Sequence, residues 1–341
     1  MTNIGIIGLG FMGLVHIRTY QKIPGCKIVA VADAFKTPID GVIAGVGGNI
    51  TDGDAVHLGS DVKVYKTPED LIADPNVHLV DICVPTSDHV RLSVAALKAG
   101  KHVVCEKPMA RSSALCREIV DAAAGANTYF MPAMCMRFWP GWDWLKQAID
   151  QKTYGKVLAA RFRRVSGPPG WSRGSYFKGT ESGGGLFDLH IHDTDFVQHC
   201  FGRPKAVFSL GLSLFSGAVD HLVTQYIVDG GACVSAEGGW IMSGSYPFTM
   251  TYTVNFENAT VEFDISRGDE MLKLYRDGEP EEIVKLEATD GYSGELAYMV
   301  SCIQNGTAPA IVTARDGMSA VEICEAEEQS VLTGKIVSLC E

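Results

Sequence analysis

The sequence predicts two domains: an α/β domain over residues 1–131, built as a doubly wound parallel sheet, and an α+β domain over residues 132–341 with a large, open, mostly antiparallel sheet. Three observations carry this. Short apolar runs alternate with amphipathic segments over the first 130 or so residues, consecutive strand-like runs follow, and two helical segments close the chain. At 341 residues there is length for two ordinary domains, each with its own core.

Asn3–Ile7, Lys27–Ala32, Leu79–Val84, His102–Cys105 and Thr128–Met131 are rich in Val, Ile and Cys, as strands buried on both faces are. Helical stretches lie between them, for example Val90–Lys98, closed by Gly100 and Lys101. Alternation of this kind implies parallel strands with right-handed crossovers. After residue 131, Met136–Gln151 reads as a helix. Lys156–Val165, Val207–Leu214, His221–Val228, Cys233–Trp240, Phe248–Asn255 and Thr260–Asp264 then follow with turn signals between them, the pattern of an antiparallel sheet. Asp290–Gln304 and Asp316–Thr333 are the closing helices, the second with Thr313 and Asp316 in capping-box spacing and Gly334 beyond its end.

Bulk composition removes several classes of function. Hydrophobic content of 46% and charged content of 20% are ordinary globular values. A net charge of −11 argues against nucleic acid as a partner, since Arg161, Arg163 and Arg164 form too short a basic cluster to offset phosphate repulsion. The ten cysteines are scattered without a C-x-x-C pair, which suits buried thiols better than a disulfide framework or a zinc site. No signal peptide opens the chain and no apolar run is long enough to span a bilayer. The expectation is a soluble, cytoplasmic protein.

Gly8-Leu9-Gly10-Phe11-Met12-Gly13 follows one predicted strand and opens a helix, and Asp33 stands twenty residues beyond Gly13 at the tip of the second strand. Glycines there let the backbone approach a pyrophosphate at a helix N-terminus, while the acid accepts from ribose hydroxyls. Asp33 also repels a 2′-phosphate, favouring NAD over NADP, a preference that Lys36 tempers. Val84-Pro85-Thr86 and His89 fall at the carboxyl end of another strand, where ligands of such sheets bind, and are candidates to flank the nicotinamide ribose. A plain turn with Ser87 or Asp88 as a helix cap is the competing reading, and both can hold together.

Glu106-Lys107-Pro108 ends the next strand on that same edge. Proline permits a cis bond that would aim the lysine inward, and a partly desolvated lysine beside a nicotinamide cation is brought toward proton exchange. Some eighty residues on, Gly183-Gly184-Gly185 leads into Asp188-Leu189-His190-Ile191-His192-Asp193-Thr194-Asp195. On a helix Asp188, His192, Asp195 and His199 share a face, with His190 and Asp193 pointing elsewhere. Asp188 is placed to hold or orient His192, which titrates near neutrality and suits proton removal from an alcohol. A divalent metal on this face would need ligands from a second element, and none is visible in the sequence, so no metal is expected. Polar groups pairing structurally are the other alternative. Arg137, amid Met134–Pro140, is a candidate contact for substrate or a cofactor phosphate. The loop Ser166–Tyr176, with Trp171 and Arg173, reads equally as a substrate lid or a surface loop.

Together these residues resemble the Gfo/Idh/MocA family, which includes glucose–fructose oxidoreductase and inositol dehydrogenase. The resemblance covers nearly the whole chain and rests on the glycine turn, Glu106-Lys107-Pro108, Arg137-Phe138-x-Pro140 and the GGG-x-x-D-x-x-x-H block. It implies a Rossmann domain joined to an open-faced sheet with substrate held between them. It implies Lys107 and His192 as acid/base pair, Asp188 binding a substrate hydroxyl, and Glu106 near the nicotinamide ribose. Members commonly oxidise or reduce a secondary alcohol of a sugar, polyol or nucleotide sugar, and many form homodimers or homotetramers through the exposed sheet face. His190 departs from what many members carry at that position. The expected function is NAD-dependent hydride transfer, against two rivals: a non-catalytic dinucleotide-binding sensor on the same fold, and lyase or hydrolase chemistry with a recycled cofactor.

Overall fold

The computed structural model describes residues 1–46, 54–170, 174 and 176–339, and its contacts divide the chain into two compact units. The first comprises Met1–Cys135 together with Gly291–Met318, and the second Met136–Asp290 together with Ser319–Glu341.

In chain order the first unit runs β1 (Thr2–Ile7), α1 (Phe11–Tyr20), β2 (Cys26–Ala32), a short antiparallel pair β3 (Val42–Ile43) and β4 (Val56–His57), β5 (Lys63–Tyr65), α2 (Pro68–Ala73), β6 (Leu79–Ile82), α3 (His89–Lys98), β7 (His102–Glu106), α4 (Ser113–Ala124) and β8 (Phe130–Ala133). Six strands form one parallel sheet in the order β5-β2-β1-β6-β7-β8. Ile4, Ile6, Val80, Ile82, Val103 and Val104 have no exposed surface, which is why these strands are continuously apolar rather than alternating. The winding reverses between β1 and β6. Loops leaving the carboxyl ends of those two strands therefore flank the crevice where open α/β sheets take ligands.

The second unit holds α5 (Pro140–Asp150), β9 (Val157–Val165), α6 (Gly179–Ser182), α7 (Ile191–Phe201), β10 (Ala206–Leu212), β11 (His221–Ile227), β12 (Cys233–Gly239), β13 (Thr249–Phe256), β14 (Thr260–Asp264), β15 (Leu272–Tyr275) and β16 (Glu282–Ile283). Two helices follow, α8 (Gly291–Asn305) in the first unit and α9 (Ala314–Thr333), before β17 (Val337–Ser338) joins the edge of the second unit's sheet. That sheet has nine strands, all neighbours antiparallel except β9 and β12. Its strands alternate. Phe162, Tyr252, Val254 and Phe263 are buried on one face, where Trp142 of α5 meets Tyr252 and Phe263 edge to face and Phe196 of α7 does the same to Phe162.

The expected helix Met136–Gln151 is two pieces. Cys135–Phe138 forms a 3-10 turn, Trp139 is extended, and Pro140 occupies the first turn of α5. Proline lacks an N–H and disfavours a helical residue before it, so the helix can begin at Pro140 but not run through it. The Thr313–Asp316 capping box forms reciprocally, each backbone N–H reaching the other's side chain at 2.8 and 3.2 Å.

Candidate functional site

The three glycines of the first turn have different reasons to be there. Gly8 has φ +98°, and a Cβ on it would lie 2.4 Å from the Cys83 carbonyl oxygen. A Cβ on Gly13 would lie 1.9 Å from the Gly8 oxygen. Both are demanded by the fold. Gly10 meets nothing within 4 Å, so its bareness serves no protein neighbour. It is the N-cap of α1, with no side-chain cap and no acid in the first turn, leaving the positive helix end at an unobstructed backbone. Phe11 and Met12 begin that helix, Phe11 buried and Met12 half-buried. At the tip of β2 the Asp33 carboxylate accepts from Leu9 N–H at 2.7 Å and from Phe35 and Lys36 N–H at 2.8 Å, while Lys36 Nζ donates to the Leu9 carbonyl at 2.7 Å. These residues fit a dinucleotide: an open glycine at a helix end for the pyrophosphate, and a fixed acid for a ribose.

Val84, Pro85 and Thr86 leave β6 on this edge, and Glu106, Lys107 and Pro108 leave β7. The Lys107–Pro108 peptide is cis, Lys107 is half-buried, and Glu106 is 6% exposed. His89 is buried, its Nδ1 2.8 Å from the Pro108 carbonyl and its Nε2 2.8 Å from that of Val84. Its contribution to the edge is thus to tie the two strand-end loops together. Burial pushes its imidazole below the ordinary range.

Behind this edge lies a buried group that sequence reasoning missed. His16 of α1 has Nδ1 2.8 Å from Asp81 Oδ2 and Nε2 3.2 Å from Glu106 Oε1. The second is an ion-pair contact whose N–H does not point squarely at the oxygen. Cys83 Sγ stands 3.4 Å from the same Nδ1. Burial acts against the imidazolium, but the Asp81 carboxylate outweighs it and raises His16 well above its usual value. Glu106 falls below the carboxylate range because His16 and then Lys107 overcome its own burial. The available signal was a charged residue, Asp81, inside an otherwise apolar strand, which requires a partner. Among the described residues, His16, Asp81 and Cys83 are also the one group offering three metal-ligand atoms within 4.8 Å of one another. A proton shared at 2.8 Å already accounts for the closest of these contacts.

In the second unit the glycine run is dictated by a neighbouring loop. Gly183 and Gly184 have φ +83° and +70°, and a Cβ on Gly185 would lie 2.3 Å from the Asp220 carbonyl. That loop is anchored by the Asp220 carboxylate, which accepts from the N–H groups of Leu214, Phe215 and Ser216 and from the Trp240 indole. Asp188 falls in a π-helical turn, Leu186–His190, that runs directly into α7, where His192 is the second residue. Asp188 is half-buried and His192 is 9% exposed. Their neighbours His190 and Asp193, which helical spacing puts on other faces, are fully buried. His190 Nε2 lies 3.1 Å from Glu327, which also accepts from Tyr226 at 2.6 Å, and Arg164 donates to Asp193 at 2.9 Å. His190 is therefore a core residue. Arg163 pairs with Glu237 at 2.9 Å. Arg137, expected to reach substrate or phosphate, donates from Nε and Nη2 to Asp195 at 2.8 and 2.7 Å in a buried pair. That makes it a brace on the helix of His192. Trp171 and Arg173 lie outside the described residues. At the far end of their loop, the Tyr176 carbonyl accepts from Ser182 Oγ at 2.7 Å.

No helix among the described residues is long and apolar enough to cross a membrane. Residues 2–134 match the family model described as an oxidoreductase family with an NAD-binding Rossmann fold, and residues 142–262 match the Gfo/Idh/MocA C-terminal domain. The chain is 27% identical over 363 aligned residues to myo-inositol 2-dehydrogenase of Thermotoga maritima, with 99% of each covered. It is 26% identical over 346 to scyllo-inositol 2-dehydrogenase (NAD(+)) of Bacillus subtilis, with 98% of this chain and 95% of the relative covered. In fold it is similar to a levoglucosan dehydrogenase solved with NADH and levoglucosan, at a TM-score of 0.83, 20% identity and full coverage of both chains. With one family's two domains matched in succession, the chain belongs to the Gfo/Idh/MocA oxidoreductases and carries their NAD-binding Rossmann fold.

Proposed function

We propose that this protein is an NAD-dependent dehydrogenase that transfers hydride between a secondary alcohol of a sugar, polyol or nucleotide sugar and nicotinamide. The observation that carries the reading is the open Gly10 at the head of α1 on the same sheet edge as Lys107. Full-length likeness to inositol dehydrogenases supports a hydroxylated ring or polyol as substrate class, and favours an enzyme over a non-catalytic sensor.

When bound, NAD supplies the hydride acceptor. Gly8–Gly13 and the N-terminus of α1 hold its pyrophosphate, and Asp33 its ribose. Lys107 and His192 form the acid/base pair that takes the hydroxyl proton as the carbinol hydride leaves, with Asp188 accepting from a neighbouring substrate hydroxyl. The exposed face of the second unit's sheet, where Leu210 pairs with Val223 and Ile227 is also exposed further along β11, is the proposed surface for a homodimer or homotetramer. Absorbance at 340 nm during incubation with NAD⁺ and a panel of inositols, aldoses, anhydrosugars and nucleotide sugars tests the reading. NADH formation with at least one of them is expected. NAD⁺ binding without turnover of any would favour the sensor.

A further inference from the structure

The geometry points to His16 as a positioning residue for the proposed reaction: a buried imidazolium clamped between Asp81 and Glu106, it holds the Glu106 carboxylate as a fixed anion on the sheet edge that receives the nicotinamide. The inference rests on the dehydrogenase reading and deepens it.

Both ring nitrogens of His16 face carboxylate oxygens, at 2.8 and 3.2 Å. A neutral imidazole has a single N–H, so one nitrogen would present a lone pair to an anion. With His16 and Asp81 at zero exposure and Glu106 at 6%, water cannot relieve that repulsion. Either the ring is doubly protonated or a carboxyl carries the proton. Lys107 N–H donates to Glu106 Oε2 at 3.1 Å, which suits the ionised carboxylate and leaves the proton on the ring. The other titratable groups around His16 are Cys83 beyond β6, Tyr20 on its own helix, and Tyr292 of α8, whose ring lies 6.4 Å away, with Glu295 one turn further along α8. Burial pushes the thiol and the Tyr20 phenol up, so neither contributes a charge near neutrality. The clamp thus carries two carboxylates and one imidazolium, a net negative charge. An anion at Glu106 favours the cationic ring of NAD⁺ over the neutral ring of NADH.

Without the imidazolium, Asp81 and Glu106 share a buried site with no cation between them, and the pair takes up a proton at higher pH. His16→Gln preserves size and an amide donor while removing the charge. In that variant NAD⁺ affinity, read by fluorescence titration, is expected to fall on the order of tenfold more than the wild type's between pH 8 and pH 6, with NADH affinity little changed. Adding Glu106→Gln to His16→Gln should abolish the extra pH dependence. Should the variant not fold, ¹⁵N-histidine NMR of the wild type is the second measurement, and both His16 nitrogens should keep imidazolium shifts from pH 5 to pH 9. Equal pH profiles for wild type and His16→Gln, a neutral tautomer at pH 7, or a stoichiometric metal that copurifies and is lost in the variant would each overturn the proposal. Absence of dehydrogenase turnover, by contrast, would sink the function while both measurements still report on the clamp.

Discussion

Arg137 and Asp195 form a planar, two-bonded ion pair, both side chains almost wholly buried, that fastens the turn before α5 to the helix bearing His192. Removing one partner strands a charge in the core. Arg137→Ala or Asp195→Asn should cost about 3–5 kcal/mol in urea unfolding, whereas replacing both by apolar residues of similar volume should recover most of it. A single-variant loss under about 1 kcal/mol would mean that the pair braces nothing.

The glycines of the first turn should separate folding from binding. Gly13→Ala drives a Cβ into the Gly8 carbonyl and should destabilise the protein by about 1–3 kcal/mol or more. Gly10→Ala has open space and an ordinary φ of −76°, so its melting temperature should stay near wild type. Its NAD⁺ affinity should nevertheless fall about tenfold or more, because a methyl occupies the pyrophosphate's approach. Calorimetry on both variants, for melting and for NAD⁺ binding, checks the contrast.

Asp33 should set cofactor preference. Its carboxylate is held by three backbone N–H groups at the tip of β2, where a 2′-phosphate would meet it. Asp33→Ser is expected to lower kcat/KM for NAD by about tenfold and raise that for NADP, with Lys36 then available to the added phosphate. Steady-state comparison of the two cofactors decides it, and an unchanged ratio would remove Asp33 from recognition.

Acid sensitivity should come partly from His199. Burial first, then the Arg137 cation, holds its imidazole down to about 4. Above pH 6.5 the ring is neutral in both folded and unfolded chains. Between about 6.5 and 4 the unfolded chain binds a proton that the folded chain refuses, so stability falls as pH falls through that window. Urea midpoints at pH 7.5, 6 and 5 should decline for the wild type and decline less steeply for His199→Gln.

Much of this was readable in the sequence because it rests on local rules. Doubly buried strands must be apolar, a capping box needs only Thr313 and Asp316 three apart, and a glycine turn between strand and helix announces an anion site. Helical spacing put His190 and Asp193 off the face of His192, but their burial and their partners, Glu327 and Arg164, are set by tertiary packing. Other features have no local signal. Leu272–Tyr275 and Val337–Ser338 are too short to show alternation, and they become strands only because a sheet edge awaits them. The pairing of Arg137 with Asp195 is another such feature, because nothing local reveals the partner. The return of Gly291–Met318 to the first unit carries no compositional mark. Asp81 was the legible exception left unread.

The central claim is that Lys107 and His192 handle the proton of an alcohol oxidised by NAD⁺. Single-turnover NADH formation, measured by stopped flow on wild type, Lys107→Ala and His192→Ala with whichever polyol or sugar the panel identifies, tests it most directly. Each variant should bind NAD⁺ nearly as tightly as wild type and form NADH about a hundredfold more slowly or worse, with the deficit smaller at high pH where hydroxide assists. Wild-type rates in either variant would contradict the claim for that residue, and in both would end it.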